Sequence, residues 1–120
     1  WFMNQTREID GYTQAFWGGV TTTELSKSIK KAIEEDLSGL YHVTNGKAIS
    51  KFDLLNAFEQ NFNTGVKVNS VEGKKVDKSL MSEKVDVDFA IPSYGIMIEE
   101  MKAFMSKNNS LYKSIYPDAG

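Results

Sequence analysis

The 120-residue sequence predicts an α/β domain in which short strands alternate with about three helices. Three observations carry that reading. Two capping patterns, Thr21 with Glu24 and Ser50 with Asp53, each open a run of apolar residues at helical spacing. An alternating run, Val66 to Val71, follows the second helix after Gly65. A third apolar stripe, Ile98, Met101, Phe104 and Met105, begins after Ile91-Pro92-Ser93. Strands placed between helices argue α/β.

Taken in order, Arg7 to Thr13 reads as a short strand through Gly11, and Ala15 to Val20 as a loop holding the pair Gly18-Gly19. Thr21 caps a first helix that carries Leu25, Ile29, Ala32 and Ile33, and Asp36 to Gly39 ends it, with Gly39 placed as its C-terminal stop. Leu40 to Thr44 reads as a strand and Asn45-Gly46 as a turn. The second helix lines Phe52, Leu55, Phe58 and Phe62 along one face. Residues Glu72 to Asp88 are polar and read as a loop with a helical turn near Leu80-Met81. After the third helix, Leu111, Tyr112, Ile115 and Tyr116 are spaced to pack back.

The chain is one domain, 1–120, with 1–10 and 107–120 as edges or tails. It starts at Trp1-Phe2-Met3 without a charged segment leading into an apolar one, so this start does not read as a signal peptide. A large apolar pair there suggests a piece of a longer protein, the alternative being a processed N-terminus. Apolar residues make up 41% and charged residues 25%, the range of a globular domain. No apolar run reaches the roughly 20 residues a membrane span needs. Fourteen basic against sixteen acidic residues leave a charge of -2, without the basic excess of a nucleic-acid binder. With no cysteine and a single histidine, His42, thiolate chemistry, disulfides and Cys- or His-rich metal sites are excluded.

No complete catalytic constellation is legible. Neither a GxGxxG nor a GxxxxGK[ST] loop occurs. His42 falls within an expected strand and reads as structural. Glu34-Glu35-Asp36 and Glu99-Glu100 lie on expected helix surfaces, and Asp86-Val87-Asp88 lacks the spacing of a calcium loop. Lys27, Lys30 and Lys31 read as a solvated helix face. Lys74, Lys75 and Lys78 fall in a loop, either solvated or holding a phosphate. Trp17 beside two glycines either stacks on a ligand ring or fills a gap in the core.

Several strings nevertheless share the order of one family. Gly11-Tyr12-Thr13 followed by Phe16-Trp17-Gly18-Gly19-Val20-Thr21-Thr22-Thr23-Glu24-Leu25-Ser26 resembles a segment of sugar-nucleotide reductases. Leu37-Ser38-Gly39-Leu40-Tyr41-His42-Val43, Ile49 to Leu55, and Val76-Asp77-Lys78-Ser79-Leu80 resemble later segments in the same order, so the likeness runs from about Gly11 to Met105. The chain thus resembles the C-terminal part of the dTDP-4-dehydrorhamnose reductase type of extended short-chain dehydrogenase/reductases, NAD(P)-binding proteins with a Rossmann-type half.

The resemblance implies a cytoplasmic parent enzyme of nucleotide-sugar and cell-surface polysaccharide synthesis. Its partners would be the N-terminal Rossmann half of the same protein, a sugar nucleotide and, in some settings, a second copy, with no nucleic acid and no membrane. NAD(P) would sit in the parent's other half. This chain has no glycine fingerprint, and none of its five tyrosines is followed by lysine four residues on, so it is expected to carry no catalytic or cofactor-binding residue and to be inactive alone. Trp17, Gly18, Lys74 and Lys78 are its expected substrate-binding residues, Lys74 standing where relatives carry arginine. Lysine offers phosphate a point charge in place of a fork. Related enzymes also carry an arginine before the capped helix, where this chain reads Phe16-Trp17-Gly18-Gly19. A second reading from the residues alone is a free-standing α/β interaction module without a catalytic role.

Overall fold

The computed structural model describes residues 1–84, 86–113 and 115. The fold is α/β, as expected. After a 3₁₀ turn at Phe2–Asn4 come strands β1 (Ile9–Tyr12) and β2 (Ala15–Trp17) and helix α1 (Thr22–Glu34). Strand β3 (Ile49–Ser50) leads into helix α2 (Lys51–Phe62). Strands β4 (Val68–Val71) and β5 (Val76–Lys78) are followed by helices α3 (Tyr94–Lys107) and α4 (Asn109–Tyr112).

Two chain segments run side by side and bend together. β1 pairs in parallel with β4, Ile9 opposite Val68 and Tyr12 opposite Val71. β2 pairs in parallel with β5, Ala15 opposite Val76 and Trp17 opposite Lys78. The Thr13 N–H donates to Val71 O at 2.9 Å and the Val76 N–H to Gln14 O at 3.0 Å, so the two ladders meet at the bend. β3 adds to the other edge of β2, antiparallel.

Ile9 and Gly11 are buried while Asp10 and Tyr12 are exposed, so one face of β1 meets the helices and the other faces water. Phe2, Ile9 and Val66 form a core with Leu55 and Phe58 of α2 packed against it. Met97 and Ile98 of α3 are the most completely buried large side chains. The molecule is 18 Å thick along its shortest axis, one sheet layer and one helix layer. Parallel sheets are ordinarily covered on both faces.

Both expected caps form. Thr21 Oγ1 accepts from the Glu24 N–H at 3.3 Å, and Ser50 Oγ accepts from the Asp53 N–H at 3.0 Å.

Four expectations are corrected. Residues 15–17 and 76–78 are strands, not loop, because each finds a hydrogen-bonding neighbour that no local pattern reveals. Leu40 to Thr44 makes no ladder, since Thr44 Oγ1 and Asn45 Oδ1 accept from the N–H groups of Gly46 and Lys47 and turn the chain there. The turn expected at Leu80-Met81 is irregular chain whose carbonyls accept from Thr44 and contact His42 Nδ1. Helix α1 ends at the expected Asp36 to Gly39 stretch: Asp36, with φ 49°, turns the chain first, and the Leu37 N–H donates back to Ala32 O at 2.9 Å. Tyr116 of the expected packed tail lies outside the described residues, and Leu111 and Ile115 are exposed.

The face of α1 also differs from what its pattern suggests. Its buried residues are Glu24 and Ser28, while Leu25, Ile29 and Ile33 are exposed, Ile33 to 75%. Lys27 holds this polar side to α3, its Nζ 3.0 Å from Glu24 and 2.5 Å from Glu100.

Candidate functional site

The parallel strands β2 and β5 end together at Trp17 and Lys78, and the chain leaves β2 through Gly18 and Gly19 into the Thr21 cap of α1. Ligand sites in α/β proteins gather at such strand ends. Of the four residues singled out from the sequence, three meet here. Trp17 and Lys78 stand opposite each other in the ladder. Gly18 is buried against the next turn of chain, where a Cβ would lie 3.0 Å from Leu80 N and 3.3 Å from Ser79 Cα. Lys74 lies apart from them. It sits in the 72–75 connection, at the end of β5 where the strand begins.

Trp17 turns inward. Its ring lies 6.4 Å from the Tyr94 ring and lines a small apolar cavity of about 170 Å³ with Leu54, Met97 and Ile98. Burial pushes the Tyr94 hydroxyl above the usual phenol range, only partly offset by a hydrogen bond with the Gly19 backbone. The Tyr94 hydroxyl donates to Lys47 O at 2.5 Å, tying the start of α3 to the 39–47 segment. Lys78 is exposed. Beside it, the Asp77 carboxylate accepts from the Ser79 N–H at 2.8 Å and is held below the usual carboxylate range by the Ser79 side chain and backbone.

The two glycines do not form a dinucleotide cradle. A Cβ at Gly19 would fall 2.4 Å from Trp17 Cζ2, so the indole already fills the space, and Leu80 fills that at Gly18. These residues therefore do not fit the pyrophosphate of a nicotinamide cofactor, which needs bare glycine backbone at that approach. Among the described residues no group of three His, Asp or Glu side chains is placed to hold a metal ion. Among them, too, no helix is long and apolar enough to cross a membrane.

The 39–47 segment, with Leu40 to Thr44 expected as a strand and Asn45-Gly46 as a turn, contributes to this end of the sheet through His42 and Thr44. The His42 Nδ1 is 2.9 Å from Met81 O, and the Thr44 hydroxyl donates to Leu80 O at 3.3 Å. The sequence offers no signal for that pairing, since the partners are backbone carbonyls 39 and 36 residues away.

No protein-family model matches the sequence, and no curated protein does. A solved structure does match the fold. It is the dTDP-4-dehydrorhamnose reductase of Bacillus anthracis str. Ames, solved in complex with NADP. The TM-score is 0.60 at 19% sequence identity, over 82% of this chain and 38% of that one. The chain thus shares the fold of part of a reductase and spans well under half of that protein's length.

Proposed function

We propose that the chain is the sugar-nucleotide-binding part of a dTDP-4-dehydrorhamnose reductase-like enzyme, a cytoplasmic NAD(P)-dependent oxidoreductase of nucleotide-sugar synthesis. The observation that carries this reading is the agreement of two independent likenesses. Ordered sequence strings from Gly11 to Met105 resemble that family, and the fold matches a reductase of the same description over 82% of the chain. In this reading residues 1–120 form the C-terminal domain of a longer protein, and the N-terminal Rossmann half is its partner. That half supplies NAD(P) binding and the Tyr-x-x-x-Lys pair. Lys78, exposed beside the Trp17-Gly18 turn, would mark one edge of the sugar-nucleotide site with its charge meeting the diphosphate, and Lys74, at the other end of β5, would stand further from it. The isolated chain carries no hydride chemistry.

The test is direct. Purified chain mixed with NADPH and a 4-keto sugar nucleotide gives no cofactor oxidation, and restoring the missing half gives turnover. Oxidation by the 120-residue chain alone overturns the assignment, as does an inactive complete protein that binds no sugar nucleotide.

One observation favours the second reading, a free-standing interaction module. Leu25, Ile29 and Ile33 present an apolar stripe to water, and such surfaces mark contacts with other proteins. The same stripe is what a detached half would expose, so recovery of activity on joining the two halves separates the readings.

A further inference from the structure

We propose that the cavity between α2, α3 and the N-terminal turn is a binding site for a neutral, flat, fused-ring apolar molecule. The proposal does not depend on the sugar-nucleotide reading. The cavity holds about 410 Å³, within the size range of small-molecule sites. Its walls are Leu55, Phe58, Phe62, Met101, Phe104 and Met105.

The lining chemistry selects the ligand. Phe58 and Phe62 stack at 6.2 Å, and Phe2 lies 5.8 Å from Phe58, so one wall is a run of aromatic faces. Flat rings pack on such faces in offset or edge-on geometry. Met3, Met101 and Met105 of the lining are flexible thioethers that adapt to a ring edge and gain sulfur–aromatic contact. Among the described residues no charged side chain lines the cavity, so an ionised ligand would lose hydration without a counter-charge.

Size narrows the class further. An apolar cavity of about 150 Å³ stays dry and takes up benzene, so this one suits a molecule of roughly ten to fifteen non-hydrogen atoms, two fused rings with a small substituent. Among the described residues, Thr22, Thr23 and Tyr112 supply the hydroxyls of the lining, suited to one hydroxyl or carbonyl group on the ligand. Trp1, 68% exposed, completes the lining from the N-terminal end.

The five methionines make the test specific. The chain is labelled with methyl-¹³C methionine and titrated with 1-naphthol while the methyl signals are followed by NMR. Saturable shifts of the Met101 and Met105 signals, with the exposed Met81 unmoved, are expected. Leu55→Trp fills the cavity and should weaken binding at least tenfold, whereas Met101→Leu, close in volume, should retain it. If Leu55→Trp does not fold, the wild-type titration and Met101→Leu decide the matter. Absence of saturable shifts at Met101 and Met105, or equal shifts at Met81, overturns the proposal. So does movement of the Met101 and Met105 signals with protein concentration alone, which would mean that a second copy fills the space.

Discussion

Gly11 and Phe52 meet backbone to backbone: a Cβ at residue 11 would lie 2.8 Å from Phe52 Cα and as close to the Val68 side chain. The first turn of α2 therefore seats directly on β1, which fixes the helix layer on the sheet. Gly11→Ala pushes helix and strand apart and should destabilise the chain by about 1–3 kcal/mol, the usual cost of overpacking. Urea denaturation of the two proteins measures it. An unchanged midpoint would show that α2 does not rest on Gly11.

Ser50 is buried, and its hydroxyl both caps α2 and donates to Asp53 Oδ2 at 2.6 Å. Ser50→Ala leaves the Asp53 N–H without its partner and should cost about 0.5–2 kcal/mol. Ser50→Gly, which frees the N–H to water, should recover part of that loss. The comparison by thermal denaturation checks whether the cap, and not the volume, matters.

Glu59 closes the other end of α2. Burial is the largest single influence on its carboxyl and pushes it up, but hydrogen bonds from the Thr64 hydroxyl and from the N–H groups of Gly65, Thr64 and Val66 together hold it below the usual carboxylate range. A depressed folded value means stability that is present above the unfolded pKa of about 4.3 and is lost as pH falls through the lower folded one. Stability should therefore decline on acidification below about pH 4.5, and Glu59→Gln should flatten that acid limb. Denaturation curves between about pH 3 and 6, the titration range of carboxylates, decide it.

The exposed stripe of α1 makes a prediction about association. Trp1 and Phe16 also face water, whereas Phe2 is buried in the core. Cut from a covering layer, the chain should self-associate at high concentration. Ile29→Lys with Ile33→Lys should abolish association while changing monomer stability by no more than about 0.5 kcal/mol, as for other surface positions. Sedimentation at increasing concentration reads this out, and a monomer at every concentration would contradict it.

At the strand ends the proposed roles can be ranked. Lys78 stands opposite Trp17, whereas Lys74 lies at the other end of β5. In the complete enzyme Lys78→Ala should weaken sugar-nucleotide binding about tenfold or more, the size of a charged hydrogen bond, and Lys74→Ala should have the smaller effect. Cofactor affinity should stay the same in both. Calorimetric titration of each variant measures the order, and the reverse order would move the site to the 72–75 connection.

What the sequence made legible follows the range of the interactions. The Thr21 and Ser50 caps act over three residues, so local spacing suffices to see them. Val68 to Val71 and the stripe of α3 show their period directly. β2 and β5 are three residues each, too short for a period, and exist because Phe16 and Asp77 pair across 61 positions of chain. The run at Leu40 alternates like a strand, but Thr44 and Asn45 bond to the backbone beyond them and end it. For α1, periodicity revealed a stripe without saying what it faces; in the structure Glu24 and Ser28 face inward, with Lys27 bridging to Glu100 at the surface. Trp17 read equally well as a ligand platform or a core plug. Gly19 lets it fold back toward Tyr94.

The central claim is that these residues complete a sugar-nucleotide reductase whose other half lies N-terminal to them. The most direct measurement is the sequence of the reading frame immediately upstream of the codon for Trp1. The account predicts an in-frame Rossmann half with a glycine-rich strand-to-helix turn and a Tyr-x-x-x-Lys pair. An unrelated sequence or a stop in that frame would contradict it.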